Sequence, residues 1–140
     1  MMNLFLSLLM SLTLVTTAAS GVGGNLRNYQ CSKCGTVVRS TASPSSLNCR
    51  AGGSHWWRNL GEVGEENYCC SKCGTVLESR YSPSSTGCPA GNSHWWRHLG
   101  HKGDVAYQCK KCGVTVYSKY TPSSTGCPQG NSHHWIKLGK

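Results

Sequence analysis

Acidic residues are scarce in this chain: five Asp and Glu stand against 14 Lys and Arg in 140 residues, a formal net charge of +9. Apolar side chains are also few, at 38%, and the single phenylalanine, Phe5, lies in the first apolar run. So little apolar surface does not build one large core, and the fold needs stapling by other means. No segment after residue 20 repeats apolar residues at a helical interval, which argues against a helical bundle or an amphipathic membrane helix. No apolar run reaches the roughly 20 residues a membrane-spanning helix requires. No Asn-x-Ser/Thr triplet follows residue 20, so the chain offers no N-glycan acceptor there. The basic excess favours polyanions such as acidic glycans, anionic membranes or nucleic acid, without choosing among them.

What is present begins with a leader. Leu4 to Val15 is apolar and is followed by Thr16, Thr17, Ala18, Ala19 and Ser20, all small. That order reads as a signal peptide over residues 1–20, cut after Ala19 or Ser20, although no Lys or Arg precedes the apolar run. The expected location is therefore extracellular.

The remainder is a repeat. Cys31, Cys70 and Cys109 are spaced by 39 residues, and the same step relates Cys34, Cys73 and Cys112. It also relates Cys49, Cys88 and Cys127, then His55, His94 and His133, then Trp57, Trp96 and Trp135. Three modules follow, at 29–61, 68–100 and 107–139. In each, a β-prone run (Thr36–Val38, Thr75–Leu77, Val114–Tyr117) precedes a Pro-Ser-Ser turn, and Trp56 to Leu60 and its copies suit a closing strand. The polar, Gly-containing segments 62–67 and 101–106 read as linkers, predicting beads on a string.

Ten cysteines in so short a chain carry the staple. Every module supplies C-x2-C, a gap of 14 residues, and C-x5-H. Two cysteines three apart can hold one ion from a tight turn, and the glycine after the second (Gly35, Gly74, Gly113) permits the positive φ of such a knuckle. Three thiolates and an imidazole suit tetrahedral Zn²⁺. The candidate ligands are Cys31, Cys34, Cys49 and His55; Cys70, Cys73, Cys88 and His94; and Cys109, Cys112, Cys127 and His133. On these residues each module resembles the zinc-ribbon and rubredoxin-like class, from Tyr29 to Gly61 and in both copies, with C-x5-H where the usual ribbon has a second C-x2-C. The resemblance implies a small all-β fold and a metal, but no activity. Each Zn(Cys)3His site carries −1, so three zinc ions would take the net charge from +9 to +6.

Export leaves disulfides as the competing staple, since oxidation consumes the same thiolates. Three cysteines per module cannot all pair internally, and the total is even only because Cys69 stands where the other modules have Gln30 and Gln108. In the zinc account Cys69 is a surplus thiol and a candidate bridge to a second chain. Catalysis is not expected: four protein ligands leave no open metal position, and C-S-K-C lacks the βαβ context of a redox motif.

Surface chemistry completes the reading. Trp57, Trp96 and Trp135 are expected to pack over the metal site, leaving Trp56 and Trp95 as exposed stacking surfaces. Lys33, Lys72 and Lys111 recur beside the second cysteine of each knuckle. Lysine near exposed tryptophan suits acidic or neutral glycans, with avidity from repetition; export argues against nucleic acid. The expectation is a secreted, non-enzymatic binding or matrix protein, the alternative a disulfide-stapled cationic defence protein acting on membranes.

Overall fold

The computed structural model describes residues 25–139, so the leader expected over residues 1–20 lies outside the described residues. The described chain is all-β: β1 Arg27–Cys31, β2 Val37–Ser40, β3 Trp57–Cys70, β4 Val76–Ser79, β5 Trp96–Cys109, β6 Thr115–Ser118 and β7 Trp135–Gly139. All pairings are antiparallel. The three β-prone runs form β2, β4 and β6, where a tyrosine opposes a branched apolar residue each time: Tyr29 with Val38, Tyr68 with Leu77, Tyr107 with Val116. Aromatic–aliphatic cross-strand pairs of this kind stabilise a ladder locally.

The linkers are a correction to the sequence reading. Segments 62–67 and 101–106 are not loose connectors but the middles of two 14-residue strands, β3 and β5. The first half of β3 pairs with β1 to close module 1, and its second half pairs with β4 and β5 to open module 2. β5 does the same for modules 2 and 3. Polarity misled the reading because the ladder hydrogen bonds are backbone bonds and need no apolar side chain.

Consecutive modules also dock. Cys69 and Leu99 of module 2 form a buried cluster with Tyr107 and Val116 of module 3. Asn28, fully buried, donates from Nδ2 to the Glu78 carbonyl at 3.0 Å, and Asn67 donates to the Tyr117 carbonyl at 2.8 Å. Gln30 donates to Thr75 Oγ1 at 2.8 Å, and Arg39 pairs with Glu78 at 2.8 Å. The buried apolar cluster therefore spans the junction of modules 2 and 3, as at a solenoid interface.

Both long strands bulge where they cross from one module to the next. Val63 and Glu66 both oppose Ser79, and Lys102 and Val105 both oppose Ser118. Gly64 and Gly103 lie in these bulges, and a Cβ on either would collide with the backbone of Arg80 or Lys119. Such a collision requires the backbone to shift. Gly64→Ala and Gly103→Ala should each destabilise the metal-loaded protein by about 1–3 kcal/mol. The exposed neighbour change Glu65→Ala should stay within about 0.5 kcal/mol. Denaturation midpoints of the three variants check this.

Candidate metal centre

Each knuckle begins where a strand ends. Cys31 closes β1, and the chain turns back so that Gly35 N–H donates to the Cys31 carbonyl at 2.9 Å and Cys31 N–H to the Thr36 carbonyl at 3.0 Å. Gly35 has a φ of 82°, a value costly for residues with a Cβ, and Gly74 and Gly113 repeat it at 81° and 82°. The turn aims backbone N–H groups at sulfur: Lys33 and Trp56 donate to Cys31 Sγ, each at 3.4 Å. Cys70 receives the same pair from Lys72 and Trp95, and Cys109 receives Cys112 and His134.

These donors act on the acidity of the thiols. Burial opposes ionisation of Cys31, but the N–H groups of Cys34, Trp56 and Lys33, with His55, outweigh it and bring the thiol down to about 5. Cys109 is brought to about 5 against the same burial by Cys112, His134, His133 and Lys111. Cys73 and Cys112 are pushed up to about 12, chiefly by burial. A half-buried thiol held up this far ionises at neutral pH when a cation compensates it.

The second half-site is a tight loop. Gly52 N–H donates to the Cys49 carbonyl at 2.8 Å, and His55 N–H to the Ser46 carbonyl at 2.7 Å. The recurring lysines tie this loop to the knuckle: Nζ of Lys33, Lys72 and Lys111 donates to the carbonyls of Gly52, Gly91 and Gly130, each at 2.6 Å. They clamp the two loops together at the exposed edge of the site. The tryptophan present in every module packs where it was expected, stacked on the ligand histidine with ring centroids 4.5 Å apart. Its Nε1 donates to the Pro-Ser-Ser turn, at 2.8 Å from Trp57 to Ser45, and likewise from Trp96 and Trp135.

All twelve candidate ligands converge in three clusters, with the ligand atoms of each within 4.8 Å of one another. Cys31 and Cys49 sulfurs are 3.9 Å apart, and Cys109 and Cys127 sulfurs 4.0 Å. Sulfur to Nδ1 distances are 3.7 Å for Cys34–His55 and Cys73–His94 and 3.6 Å for Cys112–His133. A disulfide needs about 2.05 Å between sulfurs, whereas a tetrahedron with metal–sulfur bonds of about 2.3 Å has edges of about 3.8 Å. The donor set thus fits one metal ion per module, and all ten cysteines are free thiols. The disulfide alternative is not the arrangement found. The histidines point the same way: Nε2 of His94 and His133 is buried without a hydrogen-bond partner, while Nδ1 faces the cysteines. Burial, helped by Lys72, lowers His94 to about 4 and favours the neutral imidazole that a metal needs, whereas the hydrogen bond with Cys31 raises His55.

Cys69 is not at the surface. It is fully buried in the cluster between modules 2 and 3, and burial pushes its thiol up to about 12. A bridge from it to a second chain would require opening that core. The position explains the substitution: Gln30 meets Thr75 of the next module, whereas Val114 occupies the Thr75 position in module 3, so a hydroxyl is no longer offered.

Trp56 and Trp95 are exposed, at 58% and 59%, with Lys33 Nζ 4.9 Å from one ring and Lys72 Nζ 5.0 Å from the other. Two further pairs escaped the sequence reading. Arg80 lies over Tyr81 at 5.4 Å and Lys119 over Tyr120 at 5.6 Å, both tyrosines exposed. Their 39-residue spacing was visible, but module 1 has Thr41-Ala42 at that place, which broke the pattern. An open groove of about 400 Å³ runs between the knuckles of modules 2 and 3, lined by Lys72, Cys73, Cys112, Pro128 and Gln129.

A metal held this way is part of the fold. Native mass spectrometry should find three metal ions per chain and His94→Ala only two firmly held. Chelation, or acid that protonates the thiolates, should release the metal and collapse near-ultraviolet dichroism from the stacked tryptophans. Comparison with protein-family models, with curated proteins and with solved structures gives no match to this chain.

Proposed function

We propose that this is a secreted, non-enzymatic glycan-binding protein of the extracellular matrix or cell surface, in which three structural zinc ions hold a rigid array of basic–aromatic contacts. Zinc is the reading for the metal because three soft thiolates and one imidazole at tetrahedral spacing suit it, and because all four positions are filled by protein. Export rests on the leader, Met1 to Ser20.

The observation that carries the binding role is the pair of exposed tryptophans with an ammonium over each ring, repeated at one module's spacing. An aromatic face takes the apolar face of a sugar ring, and the adjacent cation takes a carboxylate or sulfate. Arg80–Tyr81 and Lys119–Tyr120 add two more contacts of the same chemistry. A rigid solenoid fixes their spacing, so weak sites act together on a polymer without the loss a flexible linker would bring. The charge of +9 strengthens encounter with acidic chains and makes it salt-dependent.

Binding of the zinc-loaded protein to sulfated, uronic-acid and neutral polysaccharides tests this. Acidic chains should bind best and weaken with salt, and the double variant Trp56→Ala/Trp95→Ala should lose roughly tenfold or more in affinity with its three metals retained. Unchanged affinity in that variant would sink the reading. Leakage of anionic vesicles at low protein concentration would replace it with the membrane-active one.

A further inference from the structure

Every module has a face turned toward its successor. In module 2 it comprises Asn67, Cys69, Glu78, Arg97 and Leu99, placed together because Asn67 opposes Glu78 and Cys69 opposes Arg97. The apolar centre of this face is covered: Leu99 is 2% exposed, and Leu60, its counterpart in module 1, is 1% exposed, while the arginine at its edge, Arg97 or Arg58, lays its stem on the next module and stays exposed itself. The register of module 3 is the same, with Ala106 opposing Tyr117 and Gln108 opposing Ile136. Among the described residues, nothing covers the face there. Leu138, in the place of Leu60 and Leu99, is 57% exposed, Tyr117 51% and Ile136 47%.

The leucine is uncovered only here, and at neighbouring positions it is the residue type that has changed, from polar or charged to apolar or aromatic. Asn28 and Asn67, whose side chains lock onto a carbonyl of the following module, become Ala106. Arg39 and Glu78 become Tyr117, and Arg58 and Arg97 become Ile136. An outer face that simply ends a solenoid is polar; this one has lost its charges and gained apolar area. The swaps also remove the pieces that fit a following module.

The opposite end of the array does not complement it. Gly87 and Gly126 receive the stems of Arg58 and Arg97 so closely that a Cβ would clash, and module 1 has Asn48 at that position. Head-to-tail stacking therefore meets a side chain where both internal steps have none. An uncharged apolar face is best matched by an uncharged apolar face, and it can meet itself about a two-fold axis. We infer that the outer face of module 3, centred on Tyr117, Ile136 and Leu138, is an isologous interface between two copies of this chain, joining two three-module arrays back to back.

Sedimentation equilibrium of the zinc-loaded protein, with its leader removed, tests this. The expected result is a mass that rises with concentration to twice the chain mass and stops there. Ile136→Arg restores the residue of both internal modules and places like charges across the axis, so it should weaken dimerisation at least roughly tenfold. It should keep three metals, which separates loss of the interface from loss of the fold. Leu138→Ser should weaken the dimer too, while Trp95→Ala, away from the face, should not. A monomer at all concentrations would overturn the inference. So would growth past the dimer, which is head-to-tail assembly, or a dimer indifferent to Ile136→Arg.

Discussion

Two loops in each module must be brought to within a few ångström of each other, and their metal-binding side chains converge there beside one backbone ladder and one lysine clamp. The knuckle and the C-x5-H loop are separated by a two-turn excursion through β2 and the Pro-Ser-Ser turn, with no apolar layer between them. A tetrahedral set of three sulfurs and one nitrogen closes that gap. The neighbouring features serve it: the N–H groups aimed at Cys31, Cys70 and Cys109, the lysine clamp onto the opposite loop, and the tryptophan stacked on the histidine. Thiols of opposed acidity, about 5 and about 12, stand within one cluster, and a bound cation would supply the charge that reconciles them.

Because a Cys3His cluster lies inside each module, the scarce apolar residues are free for another task. Leu60, Leu77, Leu99 and Val116 are all nearly fully buried, and the Leu99–Tyr107–Val116 cluster lies at the junction of modules 2 and 3. Stability is thereby divided between local ion binding and nearest-neighbour docking, and the two long strands make the division continuous along the chain. The close approach at Gly64 and Gly103 and the hydrogen bonds of buried Asn28 and Asn67 tie each junction at fixed points. A fixed array turns surface residues such as Trp56 and Trp95 into a pattern with a definite repeat.

The sequence made the ligands, the knuckle glycines and the short strands legible, because each depends on near neighbours. A C-x2-C turn needs a positive φ just after its second cysteine, and a Tyr–Val pair needs only a hairpin. Segments 62–67 and 101–106 were illegible for the opposite reason. Their strand state comes from partners in two different modules, and polar side chains such as Glu62, Glu65 and His101 conceal it. Cys69 misled in the same way: a surplus thiol suggests a bridge, and only packing against the next module shows it to be core. Lys33 and its copies were legible as recurring cations beside the knuckle, but their reach to the Gly52 carbonyl and its equivalents was not, because that loop lies far along the chain.

The sequence alone therefore determined the repeat, the donor set and the all-β character, since these are written in spacing and residue chemistry. Tertiary structure decided how modules meet, which thiol is core, which cations are clamps, and which apolar face is left open. Those depend on which side of a strand a residue occupies and on what lies across it. A one-residue bulge reverses that side without altering the composition around it.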